Sequence, residues 1–333
     1  MNKQYQVYGI GNALVDFEIE TTPDELAALN VEKGVMTLID GERQQALLNA
    51  FHGKHHSRAC GGSAANTIIG AQSLGAKCFY SCKVANDETG HFYRDDLLRH
   101  GVETNLADEA LEEGETGKCL VLITDDADRT MNTFLGITGE INSRQVNQSA
   151  LAASEYLYIE GYLSSSPTAL QAAVEAMAFA RKNQVKTAFS LSDPNMVKFC
   201  REGLIAIIGE GVDLLFCNYD EATLYSESDN LEDAARKLSK LAKVVVITLG
   251  ADGALIVYGD EQIKVAGHPV KALDTNGAGD LFAGSFLYAI SQGHDLSKAG
   301  QLASFASAQL VTQFGPRLTD DKLQQVREFA KQL

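Results

Sequence analysis

The chain alternates short runs that are apolar nearly throughout with longer stretches of helical spacing. The short runs are "YQVYGIG" (5–11), "EYLYIE" (155–160), "VKTAFSL" (185–191), "VDLLFCN" (212–218) and "KVVVITLG" (243–250). Between them, "PTALQAAVEAMAFARKNQ" (167–184) and "NLEDAARKLSKLAK" (230–243) repeat apolar residues at helical intervals. Strands apolar on both faces and separated by helices predict an α/β fold, with a central, mostly parallel sheet and helices on both faces. Ligands of such sheets bind beyond the carboxyl ends of the strands.

Two stretches break the rhythm. One is "VDFEIETTPDELAALNVEKGVMTLID" (15–40); the other, "TGKCLVLITDDADRTMNTFLG" (116–136), predicts a hairpin with "DDAD" at its turn. Either they are edge strands of the main sheet or they form a small β-rich lid over its carboxyl edge. No repeat, low-complexity segment or linker interrupts the chain. The expectation is therefore a single domain over 1–333 with these segments inserted in it.

With 45% hydrophobic residues in 333, the chain can build a sizeable core. A formal net charge of -16 argues against a broad nucleic-acid or anionic-membrane footprint. It leaves room for a local anion site. The amino terminus lacks the apolar core of a signal peptide, and no stretch is long enough to span a bilayer. Six cysteines, at 60, 78, 82, 119, 200 and 217, complete no zinc pattern. Reduced, buried thiols and a cytoplasmic location are expected.

The chemistry concentrates in "DTNGAGDLFAGSF" (274–286). "VKALDT" (270–275) is extended in character. "GDLFAGSFLYAISQG" (279–293) is helical, with Leu281, Phe282, Phe286, Leu287 and Ile290 available for a buried face. The glycines thus fall at a strand-to-helix turn, where the first helical amides lack partners and the dipole is positive. Gly277, Ala278 and Gly279 are small enough to let an anion reach those amides. Asp280 in the first turn simply complements the dipole, on the plainest reading. Beside a bound anion, however, a carboxylate repels. It belongs there when the site must also take a proton from an attacking hydroxyl, and phosphoryl transfer needs both elements. "GAGDLFAG" and "GIGNAL" lack the third glycine of a dinucleotide fingerprint, and no P-loop or protein-kinase loop set occurs.

Further motifs extend the pattern: "GIGNALVD" (9–16), "ACGGSAANT" (59–67), "NYDE" (218–221) and "TLGADGA" (248–254), besides "DTNGAGD" (274–280). With these, in this order over nearly the whole chain, the protein resembles the ribokinase-like (PfkB) family of carbohydrate and nucleoside kinases. The resemblance implies a ribokinase-like fold with a β-lid and transfer of the γ-phosphoryl group of ATP to a hydroxyl, usually primary. It also implies Mg²⁺, with some members responding to K⁺. It makes Asp280 the general base and the Gly277, Ala278 and Gly279 amides the anion hole. Asn12, Asp16, Gly62, Ser63 and Asn66 would then meet the acceptor. Asn218, Thr248, Gly250 and Gly253 would meet ATP, and Glu221 would act on Mg²⁺ through water. Arg129 would reach the transferred phosphoryl group; a surface arginine paired with nearby aspartates is the alternative.

These roles suit the residue types. The Asp16 carboxylate can accept from two neighbouring hydroxyls, and the Asn12 amide both donates and accepts. Gly62 permits close backbone approach, or simply turns the chain before the helix that follows. Asn218 and Glu221 also have the spacing of a capping box, and the two roles are compatible.

For the acceptor, "GNALVD" and "GGSAAN" resemble adenosine kinases; Ser63 stands where the ribokinase loop carries a lysine. "MNTFLG" and "CLVLI" offer apolar surface for a base. "SDPN" (192–195) instead resembles fructokinase-type sugar kinases. The expected partners are therefore ATP and a nucleoside, with a free sugar as the other candidate. A catalytically inactive kinase-like binding protein is a third reading, opposed by the intact Asp280, Asn218 and Glu221. An exposed lid edge could pair with a second chain, so both monomer and homodimer stay open.

Overall fold

The computed structural model describes residues 3–54, 56–107, 110–125 and 129–333. In chain order the strands are β1 (Tyr5–Ile10), β2 (Leu14–Glu20), β3 (Met36–Leu38), β4 (His56–Gly61), β5 (Cys78–Ser81), β6 (Glu103–Thr104), β7 (Lys118–Ile123), β8 (Arg129–Phe134), β9 (Ser154–Glu160), β10 (Lys186–Ser190), β11 (Val212–Asn218), β12 (Ala242–Thr248), β13 (Ala254–Tyr258) and β14 (Glu261–Val265).

Nine strands make one sheet in the order β14-β13-β12-β11-β10-β9-β1-β5-β6. Pairing is parallel from β6 through β12 and antiparallel at β13 and β14. Side chains alternate between two apolar layers. On β11, Leu214 and Phe216 enter one layer and Leu215 and Cys217 the other. Both faces are covered, which is why these strands read as unbroken apolar runs. Helices Ser63–Leu74, Ala278–Ser291 and Leu296–Leu310 pack on one face; Pro167–Lys182, Arg201–Ile208, Tyr219–Ser226 and Leu231–Leu238 pack on the other.

The two irregular stretches are not edges of this sheet. They enter a separate five-stranded sheet, β3-β8-β7-β2-β4. β7 and β8 form the expected antiparallel hairpin; of its "DDAD" turn, residues 126–128 lie outside the described residues. The "ACGG" stretch also contributes here, as the end of β4. Helix Pro23–Ala28, within 15–40, has its own signature: Thr22 and Glu25 close a capping box and proline takes the first position. Beneath it, Ile19, Leu26, Leu47, Phe51, Leu120 and Leu122 form a small core.

Two boundaries differ from expectation. The helix expected over 230–243 stops at Leu238, because Ala242 already pairs with Val212 as the first residue of β12. Residues 270–275 form no strand: the N–H groups of Leu273 and Asp274 donate instead to Val311 O, at 2.7 and 3.2 Å. The glycine-rich turn is therefore entered from a loop. No helix among the described residues is long and apolar enough to cross a membrane. The six cysteines are free thiols.

Candidate active site

A cleft of about 790 Å³ opens between the carboxyl edge of the large sheet and the inner face of the second. Asn12, Asp16, Gly62, Ser63, Asn66, Arg129, Asn218, Glu221, Thr248, Gly277, Ala278, Gly279 and Asp280 all line it. Gly250 and Gly253 do not. They shape the turn between β12 and β13, with φ of 60° and 95°. A cavity of about 750 Å³ at the opposite edge holds none of these residues. Its Lys243 is already paired with Asp213 at 2.7 Å.

Asp280 lies in the first turn of helix Ala278–Ser291. Gly277 precedes it in the left-handed region, φ 75°, with Pro316 so close that a Cβ would lie 2.8 Å from its Cα. Among the described residues no side chain caps this helix, and the amides of Gly279 and Asp280 make no backbone hydrogen bond. The Ala278 N–H is engaged, donating to Thr275 O at 3.2 Å. The Asp280 carboxylate accepts from Ser63 Oγ at 2.6 Å and from Asn66 Nδ2 at 3.1 Å. Burial pushes its pKa from 3.8 up to about 6, against the opposing pull of those two hydrogen bonds.

A group of unsatisfied acceptors faces the same space. Asn66 must turn its NH₂ toward the Asp280 carboxylate, which fixes Oδ1 the other way, buried and without a partner. Asn12 Oδ1 is likewise buried and unpartnered among the described residues. Asp16, on β2, lines the cleft beside them, and its pKa is raised to about 7, first by burial and then by Glu18. Buried acceptors without donors are rare unless a ligand supplies the donors.

Asn218 and Glu221 form the capping box. Asn218 Oδ1 accepts from Glu221 N at 2.8 Å, and Glu221 accepts from Asn218 N at 3.1 Å and from Asn218 Nδ2 at 2.7 Å. Both also line the cleft. Burial raises the pKa of Glu221 to about 7. Thr248, one strand over, lines the same end.

Arg129 opens β8 and ties the second sheet to the loop that carries the glycine-rich motif. It donates to Glu18 on β2 at 3.2 Å and to Asp274, the first residue of the glycine-rich motif. Asp274, with 1% of its side chain exposed, also accepts from Gly315 N at 2.8 Å and Asn276 N at 2.9 Å.

The apolar ceiling differs in part from expectation. Met131, Thr133 and Leu135 face the cleft at alternate positions, but of "CLVLI" only Cys119 does. Leu120 and Leu122 point into the small core behind. Met36 and Leu38 of β3 complete the ceiling; nothing in their local pattern marked them. Glu160 was also missed, though it ends a predicted parallel strand, the very position where such sheets bind ligands. Asp193, from "SDPN", caps helix Pro194–Phe199 and lines the cleft too.

A helix amino terminus open to an anion, a carboxylate beside it and acceptors for hydroxyls define a site for phosphoryl transfer to an alcohol. The comparisons agree. The sequence pattern described as pfkB family carbohydrate kinase matches residues 37–323, and the chain belongs to that family. It is accordingly a kinase of the sugar and nucleoside type, a phosphotransferase acting on an alcohol group. Among solved structures it is similar to an adenosine kinase from Sinorhizobium meliloti, 32% identical with TM-score 0.90, covering 98% of this chain and 99% of that one. It is also similar to a probable sugar kinase from Rhizobium etli CFN 42, 31% identical with TM-score 0.90, covering 99% and 98%. A 5-dehydro-2-deoxygluconokinase from Clostridium tetani is 25% identical over 82% of this chain and 84% of that protein.

Proposed function

We propose that this kinase transfers the γ-phosphoryl group of ATP to the primary hydroxyl of a ribose-containing acceptor, a purine nucleoside such as adenosine. The observation that carries this reading is the pair of buried, donorless acceptors, Asn12 Oδ1 and Asn66 Oδ1, set beside the half-buried Asp16 carboxylate beneath an apolar ceiling. Neighbouring sugar hydroxyls donate to such a set. Met36, Leu38, Met131 and Leu135 then give a flat base apolar surface that a free sugar has no use for. The similarity to an adenosine kinase supports the same choice.

In this reading Asp280 takes the proton from the attacking hydroxyl, and its raised pKa brings it toward the working range of a base. The Gly279 and Asp280 amides, joined by that of Gly277, hold the charge of the moving phosphoryl group, while the Ala278 amide, expected to join them, is spent on Thr275 O. Ser63 and Asn66 orient the base. Arg129 approaches from the second sheet, which acts as a lid inserted in a single domain. Asn218, Thr248 and the turn at Gly250 and Gly253 serve ATP. Mg²⁺ fits here: Glu221 lines the cleft, each of its oxygens accepts one hydrogen bond and so keeps a lone pair, and burial leaves that carboxylate in want of a cation. When bound, the ion neutralises phosphate charge. Six free thiols and a requirement for ATP suit a cytoplasmic enzyme.

A sugar kinase is the second reading, supported by Asp193 of "SDPN" in the cleft and by the sugar-kinase and gluconokinase relatives. The deciding experiment measures ATP consumption with adenosine, other nucleosides, ribose, fructose and 5-dehydro-2-deoxygluconate, in Mg²⁺ and with K⁺ exchanged for Na⁺. Adenosine is expected to give the highest kcat/KM. A sugar outperforming every nucleoside would overturn the nucleoside reading.

A further inference from the structure

Glu160 is the last residue of β9, and only 1% of it is exposed. Its Oε1 accepts from Asn12 N at 2.7 Å, and its Oε2 accepts from Ala64 N at 2.6 Å. These two amides belong to different crossings between the sheets. Asn12 lies between β1 and β2; Ala64 is the second residue of helix Ser63–Leu74, just after β4. One carboxylate therefore ties both crossings to the fixed edge of the large sheet.

The helix needs this partner. Its N-cap is Gly62, φ 96°, which offers no side chain, so Glu160 supplies from another strand the acceptor and negative charge that a capping residue normally brings. Gly11 makes the room: a Cβ there would lie 2.8 Å from Glu160 Oε2 and 2.5 Å from Ala64 Cβ. The consequence reaches the base. Ser63 and Asn66, in the first turn that Glu160 caps, are the two residues that hydrogen-bond Asp280.

We infer that Glu160 is a positioning residue for the phosphoryl-transfer reaction: it fixes the first turn of the Ser63 helix and the Asn12 loop, and through Ser63 and Asn66 sets the placement of the Asp280 carboxylate. The inference rests on the reading of Asp280 as the base. Burial holds the pKa of Glu160 up, at about 7, against the pull of its two amide donors, and Asp280 is the charged group that acts on it. The Glu160 charge also acts on the phenols of Tyr80, Tyr158 and Tyr162, which lie around it.

Glu160→Gln keeps the shape but turns an NH₂ toward one of the two amide donors. It is expected to lower kcat about 10- to 100-fold with KM for ATP within about twofold. The acid limb of the pH–rate profile should also move to higher pH: Ser63 and Asn66, the hydrogen bonds that hold the Asp280 pKa down, grip it less well, and this outweighs the smaller downward pull from losing the Glu160 charge. A purely structural role would lower the amount of folded enzyme and leave that limb in place. Glu160→Asp, which keeps the charge but not the reach, should give an intermediate shift, and carries the test if the Gln variant does not fold. Combining Glu160→Gln with Ser63→Ala should shift the limb less than the sum of the two. The inference is overturned by an unmoved limb, by fully additive shifts, or by a rise in acceptor KM with kcat unchanged, which would mean direct contact with substrate. Asp280→Asn measured alongside separates the two ideas. If that variant stays active the base assignment itself has failed, whereas an inactive Asp280→Asn with a normal Glu160→Gln sinks only this inference.

Discussion

Ser63 Oγ donates to Asp280 Oδ1 at 2.6 Å, joining helices whose contacting residues are 217 positions apart. This bond favours the ionised carboxylate, and burial opposes it. Ser63→Ala removes the favourable part, so the folded pKa of Asp280 rises. The acid limb of kcat/KM, expected near pH 6 for a base of this pKa, should move up by about 0.5–1 unit. Asp16, Glu160 and Glu221 titrate nearby at about 7, so the limb belongs to the group of carboxylates, and the difference from the parent isolates Ser63. A limb that stays put, or moves down, contradicts the account.

The same carboxylate should weaken the fold. Its folded pKa, about 6, lies above its ordinary value of 3.8, so the folded state holds a proton that the unfolded state releases first. Its contribution is favourable at low pH, declines as pH rises from about 4 to about 6, and stays reduced above that. Asp280→Asn should therefore raise stability at pH 8 by roughly 1–2 kcal/mol, lose that advantage near pH 4, and lower kcat by roughly 10²–10⁴. Thermal unfolding at the two pH values, paired with turnover, tests it. A variant less stable at pH 8 and still active would refute both halves.

What could be read in advance follows from where the information resides. The Asp280 turn was legible because its chemistry is local: small residues, a helix start and a carboxylate within a few positions. The large sheet was legible because Leu214, Leu215, Phe216 and Cys217 are all buried, on alternate faces. Glu160 was not, because its two partners come from other segments, 148 and 96 residues away. Arg129 is similar: its pairing with Asp274 spans 145 residues and depends on how the second sheet sits. Leu120 and Leu122 were misassigned to the cleft because alternation shows that two faces exist, not which one meets a ligand.

Glu221 combines a capping role with a proposed one at Mg²⁺. Gln at 221 can still accept from Asn218 N, so the helix start survives. The buried charge, whose pKa stands near 7, is gone. Glu221→Gln is expected to raise several-fold the Mg²⁺ concentration that gives half-maximal rate, with thermal stability at pH 8 unchanged or higher. An unchanged Mg²⁺ dependence together with a lower melting temperature would leave capping as its whole role.

Arg129→Ala strips the cation from Asp274, which stays buried with two backbone donors. Leaving that charge unpaired should cost about 1–3 kcal/mol in urea unfolding. Adding Asp274→Asn removes the charge and should restore part of the stability. Turnover should stay low in both variants if the guanidinium serves the transferred phosphoryl group. Recovery of kcat in the double variant would assign Arg129 to structure alone.

On the proposed reading, acceptor choice turns on Asp16. Its carboxylate is half-buried at the cleft wall, and desolvation raises its pKa to about 7. Two neighbouring ribose hydroxyls would satisfy it. A substrate lacking one leaves a buried acceptor unpaired, a penalty of about 1–3 kcal/mol and larger for a charge. A site built to read a hydroxyl rejects its absence far better than an apolar pocket rejects a methylene. On this basis 2′-deoxyadenosine should have a kcat/KM at least about tenfold below adenosine. Asp16→Asn should compress that ratio, because its neutral amide loses less when a hydroxyl is missing. The apolar ceiling of Met36, Leu38, Met131 and Leu135 is untouched by this change, so adenosine should still exceed ribose in the variant. Steady-state kinetics of parent and variant on the three acceptors give both ratios. A deoxy discrimination that Asp16→Asn leaves at the parent value would show that the hydroxyls are read elsewhere.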